Sequence, residues 1–409
     1  MLIPEPRIER FEKMGFGMFV HWGLYSQLGK GEWVYYIENM NMDEYKSLKD
    51  TFTAEDFDAE KLVLTAKNAG CKYITLTTRH HEGFSLYDTC GLNDFDAPHS
   101  PAGRDLIREF VDACNKHDIL PMFYHTTLDW YNKDFDEDFD KYLEYLRKSV
   151  EILCTNYGKI GGLWFDGNWS KPDGNWKEDE LYATIRKHQP EAMIINNTGL
   201  GARGEIGNPE LDSVTFEQGK PTPMNREGMS KYVSAEMCYT LNDHWGTGYN
   251  DFNYKSPAEL IETLCDCRKV GANLLLNIGP EAQGKIDPMQ EQILNIMGRW
   301  MKLFGEAVYE GKPCEIGGMG RNFVLKGDKC LYLFCYDLGK KGNDNVTVGG
   351  QYSGAYAFGN VKDCVKSIKW MDNDEQLEFA QKDGMLAVNL TGTPYGTSYC
   401  VRVAKAEVE

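Results

Sequence analysis

The sequence holds no run of about 18 apolar residues, so no membrane-spanning helix is expected. It is also short of basic groups. Its 44 Lys and Arg stand against 62 Asp and Glu, for a formal net charge of −18. That balance argues against a nucleic-acid partner, whose phosphates need a basic surface, and disfavours anionic lipid. The 12 cysteines are scattered between positions 71 and 400 without a C-x-x-C pair, which speaks against a disulfide framework or a zinc site. Cys265 and Cys267 are the closest pair, and they fall in a helical pattern. No H-x-H or H-x-x-x-H spacing occurs, and the adjacent His80 and His81 would point to opposite faces of a strand. No catalytic metal and no cofactor are therefore expected. A G-x-S-x-G elbow and a glycine-rich phosphate loop are missing, which leaves acyl and phosphoryl transfer with little support. Internal repeats are missing too. Positions 1–6 carry no basic start leading into an apolar stretch, so no secretory signal is expected, and reduced thiols in a cytoplasmic protein are the expectation.

The acidic run 134–140 has the look of a calcium loop. However, Phe139 stands where the loop needs glycine and Tyr145 where it needs the closing glutamate. Its charges suit the positive end of a following helix instead.

What is present is alternation. Strand patterns fall at 16–21, 73–80, 120–126, 162–166, 193–197, 213–217, 233–239 and 273–278. Helical patterns lie between most of them, at 53–69, 105–117, 136–156, 177–188 and 256–269. The first of these has Thr53 as its expected N-cap and stops before Gly70. Strands alternating with helices imply a parallel (β/α)₈ barrel. The long first crossover, and weak helical signal after 197 and 217, imply a distorted one. A helix at 287–309 closes this catalytic domain, taken as 1–311. Residues 312–409 change character, with short alternating runs at 330–336, 345–348, 355–358, 367–371, 386–390 and 398–403 between turn residues. That pattern predicts a C-terminal antiparallel β-sandwich.

The most telling segment is Gly161-Gly162-Leu163-Trp164-Phe165-Asp166-Gly167. On a strand, Trp164 and Asp166 share one face. A carboxylate at the C-terminal end of a barrel strand lies where such barrels do chemistry, although a strand-end Asp can also simply cap the next helix. Other strand ends add His21, followed by Glu32 and Trp33; His80 and His81; Tyr124 and His125; Glu217; and Glu236, followed by Trp245. Each has a dull explanation alone, but all these ends converge on one face. Two carboxylates, aromatic walls and histidines together suit a sugar site.

The motifs Gly17-Met18-Phe19-Val20-His21-Trp22-Gly23, Glu32-Trp33, His80-His81-Glu82-Gly83-Phe84, Leu128-Asp129-Trp130, Leu163-Trp164-Phe165-Asp166-Gly167 and Asn273-Leu274-Leu275-Leu276-Asn277-Ile278-Gly279-Pro280 follow one another in the chain. In this order the sequence resembles glycoside hydrolase family 29, the retaining α-L-fucosidases. The resemblance implies a fucosylated oligosaccharide or glycoconjugate as substrate, and Asp166 as nucleophile. It further implies that His21, His80 and His81 hold fucose hydroxyls. Glu32, Trp33 and Tyr124 would lie near the same ring, Trp164 beside the nucleophile, and Trp245 at the rim. Glu217 matches the acid/base best, with Glu236 as the alternative. Thr215 and Glu217 share a strand face, so Glu217 can reach the barrel mouth. Two other readings remain at this stage: a fucose-binding protein without catalysis, and a metal-dependent sugar isomerase on a similar barrel. The sequence says nothing of oligomeric state.

Overall fold

The computed structural model describes residues 2–342 and 354–409. The strand expected at 345–348 lies outside the described residues. The chain divides into two compact units. One comprises Met1–Lys255 and Asn273–Asn295, the other Ser256–Ala272 and Ile296–Glu409.

The first unit is a closed parallel barrel of eight strands. They are β1 (Phe16–Val20), β2 (Tyr73–Arg79), β3 (Leu120–Thr126), β4 (Gly162–Asp166), β5 (Met193–Asn196), β6 (Ser213–Glu217), β7 (Ser234–Thr240) and β8 (Asn273–Ile278). Ladder pairs from Phe16↔Leu274 to Val20↔Ile278 close the ring between β1 and β8. The strands are buried on both faces, as parallel strands under helices must be. Period-two alternation then decides which side chains meet inside. Phe19, Tyr73, Met122, Tyr124, Trp164, Ile195, Cys238 and Leu275 form one interior cluster, joined by Ile8 and Phe11 of the helix Pro6–Met14. Two residues further along their strands, the same face carries His21, Thr126, Asp166, Asn197 and Asn277 to the C-terminal mouth.

Local signals place the helices. Ala59–Ala69 is capped by Asp58, whose side chain accepts from the Lys61 amide, and stops at left-handed Gly70. The cap is therefore Asp58 rather than Thr53, because 52–58 form a non-helical connection. The helix expected over 136–156 is broken at Asp138, which caps Phe139–Asn156 through the Lys141 amide and leaves Asp134–Glu137 as a separate turn. The weakest seam joins β5 to β6, through the single register pair Ile195↔Ser213. Beside it, buried Asp212 is paired with Arg7 (3.0 Å), Arg186 (2.7 Å) and Lys231 (3.1 Å).

The second unit is antiparallel. Its described strands are β9 (Lys312–Gly318), β10 (Phe323–Lys326), β11 (Cys330–Tyr336), β12 (Gly354–Gly359), β13 (Val365–Trp370), β14 (Phe379–Lys382), β15 (Met385–Leu390) and β16 (Val401–Val408). They run in the order β13-β16-β11-β10-β9-β12-β15-β14. Residues from both flanks, among them Leu333, Ile368, Trp370, Phe358, Leu386 and Leu390, share one core, so the sheet folds over itself as a sandwich does. The helix Pro257–Lys269 packs on β9 and β10.

Candidate active site

A cavity of about 550 Å³ opens at the C-terminal ends of the barrel strands, in the size range of small-molecule sites. Of the residues nominated by the sequence, His21, Glu32, Trp33, His80, Tyr124, Trp164, Asp166, Glu217 and Trp245 line it. His81 stands just behind, its Nε2 3.5 Å from Asp166 Oδ2. Glu236 lies deeper, 1% exposed, and accepts from the Tyr73 hydroxyl and from Trp164 Nε1 (2.9 Å). Both its carboxyl oxygens are thus occupied, and its visible effect is to hold the Trp164 indole.

Asp166 ends β4 and is followed by Gly167, whose φ of +123° carries the chain away. A Cβ at Gly167 would come within 2.5 Å of the Leu128 amide, so the close approach requires glycine. Asp166 Oδ1 accepts from Trp169 Nε1 (2.8 Å) and Asn197 Nδ2 (3.2 Å), and Oδ2 accepts from the Tyr124 hydroxyl (3.1 Å). Asn197 Nδ2 also donates to Glu217 Oε2 at 2.8 Å. Legs of 3.2 and 2.8 Å from one nitrogen cap the separation of those two carboxylate oxygens at 6.0 Å. Burial, and next the charge of Asp166, push the Glu217 carboxyl up to about 7. One acid that keeps its proton near neutrality therefore stands beside a second carboxylate held by three donors.

The histidines are neutral for a physical reason. Burial drives the imidazolium of His21 and His81 well below its usual range, helped by the nearby His80 ring, and burial lowers His80 to about 3. Their partners fix the tautomers. Asn277 donates Nδ2 to the Trp245 carbonyl (2.7 Å), so its Oδ1 accepts from His21 Nδ1 (2.7 Å). Thr126 gives its proton to the Leu128 carbonyl and accepts from His81 Nδ1 at 2.7 Å. Each ring is left with an Nε2 lone pair, suited to accept from a ligand hydroxyl. His80 Nδ1 faces Glu82 Oε2 at 3.6 Å, and burial pushes the Glu82 carboxyl up to about 8.

Aromatic side chains supply the walls. Phe19 meets Trp164 edge-on at 5.0 Å and His21 at 4.5 Å, closing the floor. Trp33 stacks on Trp169 at 5.9 Å and meets Trp130 edge-on at 5.1 Å. Glu32 accepts the amides of Trp245 (3.1 Å) and Gly246 (2.8 Å) and so pins the Trp245 segment against the mouth. Among the described residues, no group of three or more His, Cys, Asp or Glu side chains could hold a metal ion.

Sequence reading missed Phe19, Trp169, Asn197 and the segment 198–202, all of which line the cavity. Asn197 directly follows β5 on the inward parity, and that signal was available. Trp169 lies in a short turn after Asp166, where no periodicity points it inward.

Comparison with known proteins agrees with this geometry. Residues 4–306 match the family model described as Alpha-L-fucosidase. A putative alpha-L-fucosidase of Caenorhabditis elegans is 26% identical over 95% of this chain and 82% of its own length. The plasma alpha-L-fucosidase of Homo sapiens is 29% identical over 73% of this chain and 68% of its own. Among solved structures, alpha-L-fucosidase isoenzyme 1 from Paenibacillus thiaminolyticus superposes with a TM-score of 0.84 at 29% identity, covering 99% of each chain.

Proposed function

The chain belongs to the α-L-fucosidase family, and from that membership we propose that it is an exo-acting, retaining glycoside hydrolase. It removes terminal α-L-fucose from fucosylated oligosaccharides or glycoconjugates. Asp166 attacks the anomeric carbon while Glu217 gives its proton to the leaving oxygen, and a fucosyl ester forms on Asp166. Glu217, now a carboxylate, takes a proton from water, which attacks the same carbon and frees fucose with its configuration retained. His21, His80 and His81 receive sugar hydroxyls, and Phe19, Trp164 and Trp245 cover the apolar parts of the ring.

The observation that carries this reading is the carboxylate pair. Asn197 bonds an oxygen of each, which holds those two oxygens within 6.0 Å, and so close an approach favours the short spacing of a retaining pair. The Glu217 carboxyl at about 7 suits an acid that must later serve as base. A closed aromatic floor supports attack on chain ends only. The fucose-binding reading would require no such pair. We also assign the protein to a reducing, cytoplasmic compartment, with the support of 12 cysteines that all stand as free thiols.

The test is the stereochemistry of release. Proton NMR of an α-L-fucoside during turnover should reveal α-fucose first, with β-fucose appearing only by mutarotation. Initial β-fucose would overturn retention, and no release from any α1,2-, α1,3-, α1,4- or α1,6-linked substrate would overturn the activity.

A further inference from the structure

Asn197 sits at the end of β5, 4% exposed, with every bonding position of its amide used. Its Nδ2 has two protons, one given to Asp166 Oδ1 (3.2 Å) and one to Glu217 Oε2 (2.8 Å). Its Oδ1 has two lone pairs, which accept from the Thr215 hydroxyl (2.8 Å) and the Gly199 amide (3.2 Å). This fixes the amide orientation. Flipped, it would turn its oxygen toward two carboxylates and its NH₂ toward the Gly199 N–H, which can only donate. The Gly199 amide is itself held. Its φ of +77° favours glycine, and a Cβ there would press on the Trp169 ring at 3.3 Å. Trp169 in turn donates to Asp166. The loop after β5, the β6 threonine and the two carboxylates therefore form one closed set.

We propose that Asn197 is a positioning residue that couples the two carboxyl groups and directs the transferable proton of Glu217 to Oε1. The inference rests on the proposed acid/base role of Glu217. The reasoning is one of valence. Oε2 accepts from an amide proton, and the carbonyl oxygen of an acid is a better acceptor than its hydroxyl oxygen, so the acid form is favoured with its own proton on Oε1. After that proton leaves, the same amide bond stabilises the carboxylate that must act as base. Asn197 thus serves both half-reactions through the two carboxyl groups it bonds. Other charged or titratable groups also act on Glu217: Asp166 from β4, Glu32 after β1, Arg203 after β5 and Cys238 from β7. The amide of Asn197 is the group bonded to both carboxylates.

The pH profile of kcat/KM separates this role from mere support. A donor that favours the charged form lowers an acid's pKa, so its loss raises it. Asn197→Ala should move the alkaline limb upward by about one pH unit. It should slow unactivated fucosides roughly 10- to 100-fold, and activated aryl fucosides much less. Thr215→Val keeps the shape of Thr215 and removes only the hydroxyl that anchors the Asn197 oxygen. It should shift the limb in the same direction by a smaller amount, and it decides the matter should Asn197→Ala not fold. An unmoved limb in the folded variants, with both substrate classes slowed alike, overturns the inference. Glu217→Ala, measured in parallel, separates the two ideas. If it lowers kcat/KM only for poor leaving groups while the Asn197 and Thr215 variants leave the limb in place, the inference about Asn197 fails and the acid/base reading stands. If it lowers kcat/KM for all leaving groups alike, both fall.

Discussion

Glu217 and Glu236 stand on adjacent strands, where Thr215 pairs with Glu236 and Glu217 with Cys238. Burial pushes both carboxyls up to about 7. By acidity alone they are equivalent, but their surroundings separate them. Glu217 lines the cavity, shares a donor with Asp166 and feels its charge. Glu236 is closed off below, where Tyr73 and Trp164 take up its oxygens and draw its pKa back down against burial. A carboxyl raised by burial marks chemistry only where the group also has access and a partner to act with.

Four experiments would break or sharpen that contrast. The largest effect belongs to the carboxylate outside the pair being compared. Asp166→Ala should lower kcat by roughly 10⁴-fold or more, while fucose binding stays measurable. A 2-fluoro-fucosyl donor should label Asp166, and a label mapped to any other carboxylate would refute the assignment. Next, Glu217→Ala should lower kcat/KM for fucosides with poor leaving groups by about 10²- to 10⁴-fold and nearly spare it for aryl fucosides bearing good ones, whose kcat falls because the second step has lost its base. Azide should restore turnover and give a fucosyl azide of retained configuration. If Glu236→Ala shows that pattern instead, the two roles must be exchanged.

The pH profile comes third. As the proposed acid, with its carboxyl pushed up to about 7, Glu217 would donate a proton below that value and lose the ability above it. For an unactivated substrate, kcat/KM should therefore fall about tenfold per pH unit well above 7, and a rate that stays level to alkaline pH would break the assignment. The smallest effect on chemistry is expected from Glu236→Leu, which strands two buried donors. It should cost on the order of 3 kcal/mol of stability, read by denaturant unfolding, while the rate ratio between good and poor leaving groups stays that of the unaltered protein. A changed ratio would bring Glu236 back into the chemistry.

The barrel was legible because parallel strands buried on both faces are near-continuous apolar runs. β3, β4, β6 and β8 match the expected bounds residue for residue. Strand parity also brought Trp164 and Asp166 to one face. Legibility failed where local chemistry competes. Thr53 and Asp58 are both plausible caps, and only packing selects the second. Among the described strands of the second unit, β9 was missed because Pro313 and two glycines mask its alternation, and β10 and β14 because each has only four residues. At the site, Phe19 reads as core from sequence because it is both core and floor. Asn197 carries no charge, so its inward parity just after β5 passed unnoticed, and its four partners reveal its role. Glu236 reads like Glu217 in sequence, and only the structure shows it buried below the cavity lining.

The seam between β5 and β6 has a consequence in acid. Its ladder contributes one register pair, so closure there leans on side chains: the Asn197–Thr215 bond at the mouth and Asp212 with its three cations at the base. Burial alone would raise the Asp212 carboxyl, but the hydrogen bond from Arg7 and the charges of Arg186 and Lys231 outweigh it and hold the group below its usual range. A depressed carboxylate stabilises the fold above its unfolded pKa and withdraws that support as pH falls through the folded value. Acid thus dissolves the base of this seam while the apolar layers elsewhere are untouched. Hydrogen exchange followed at falling pH should therefore show β5 and β6, the strands that carry Asn197 and Glu217 to the site, losing protection before the other barrel strands, and uniform loss around the ring would refute this.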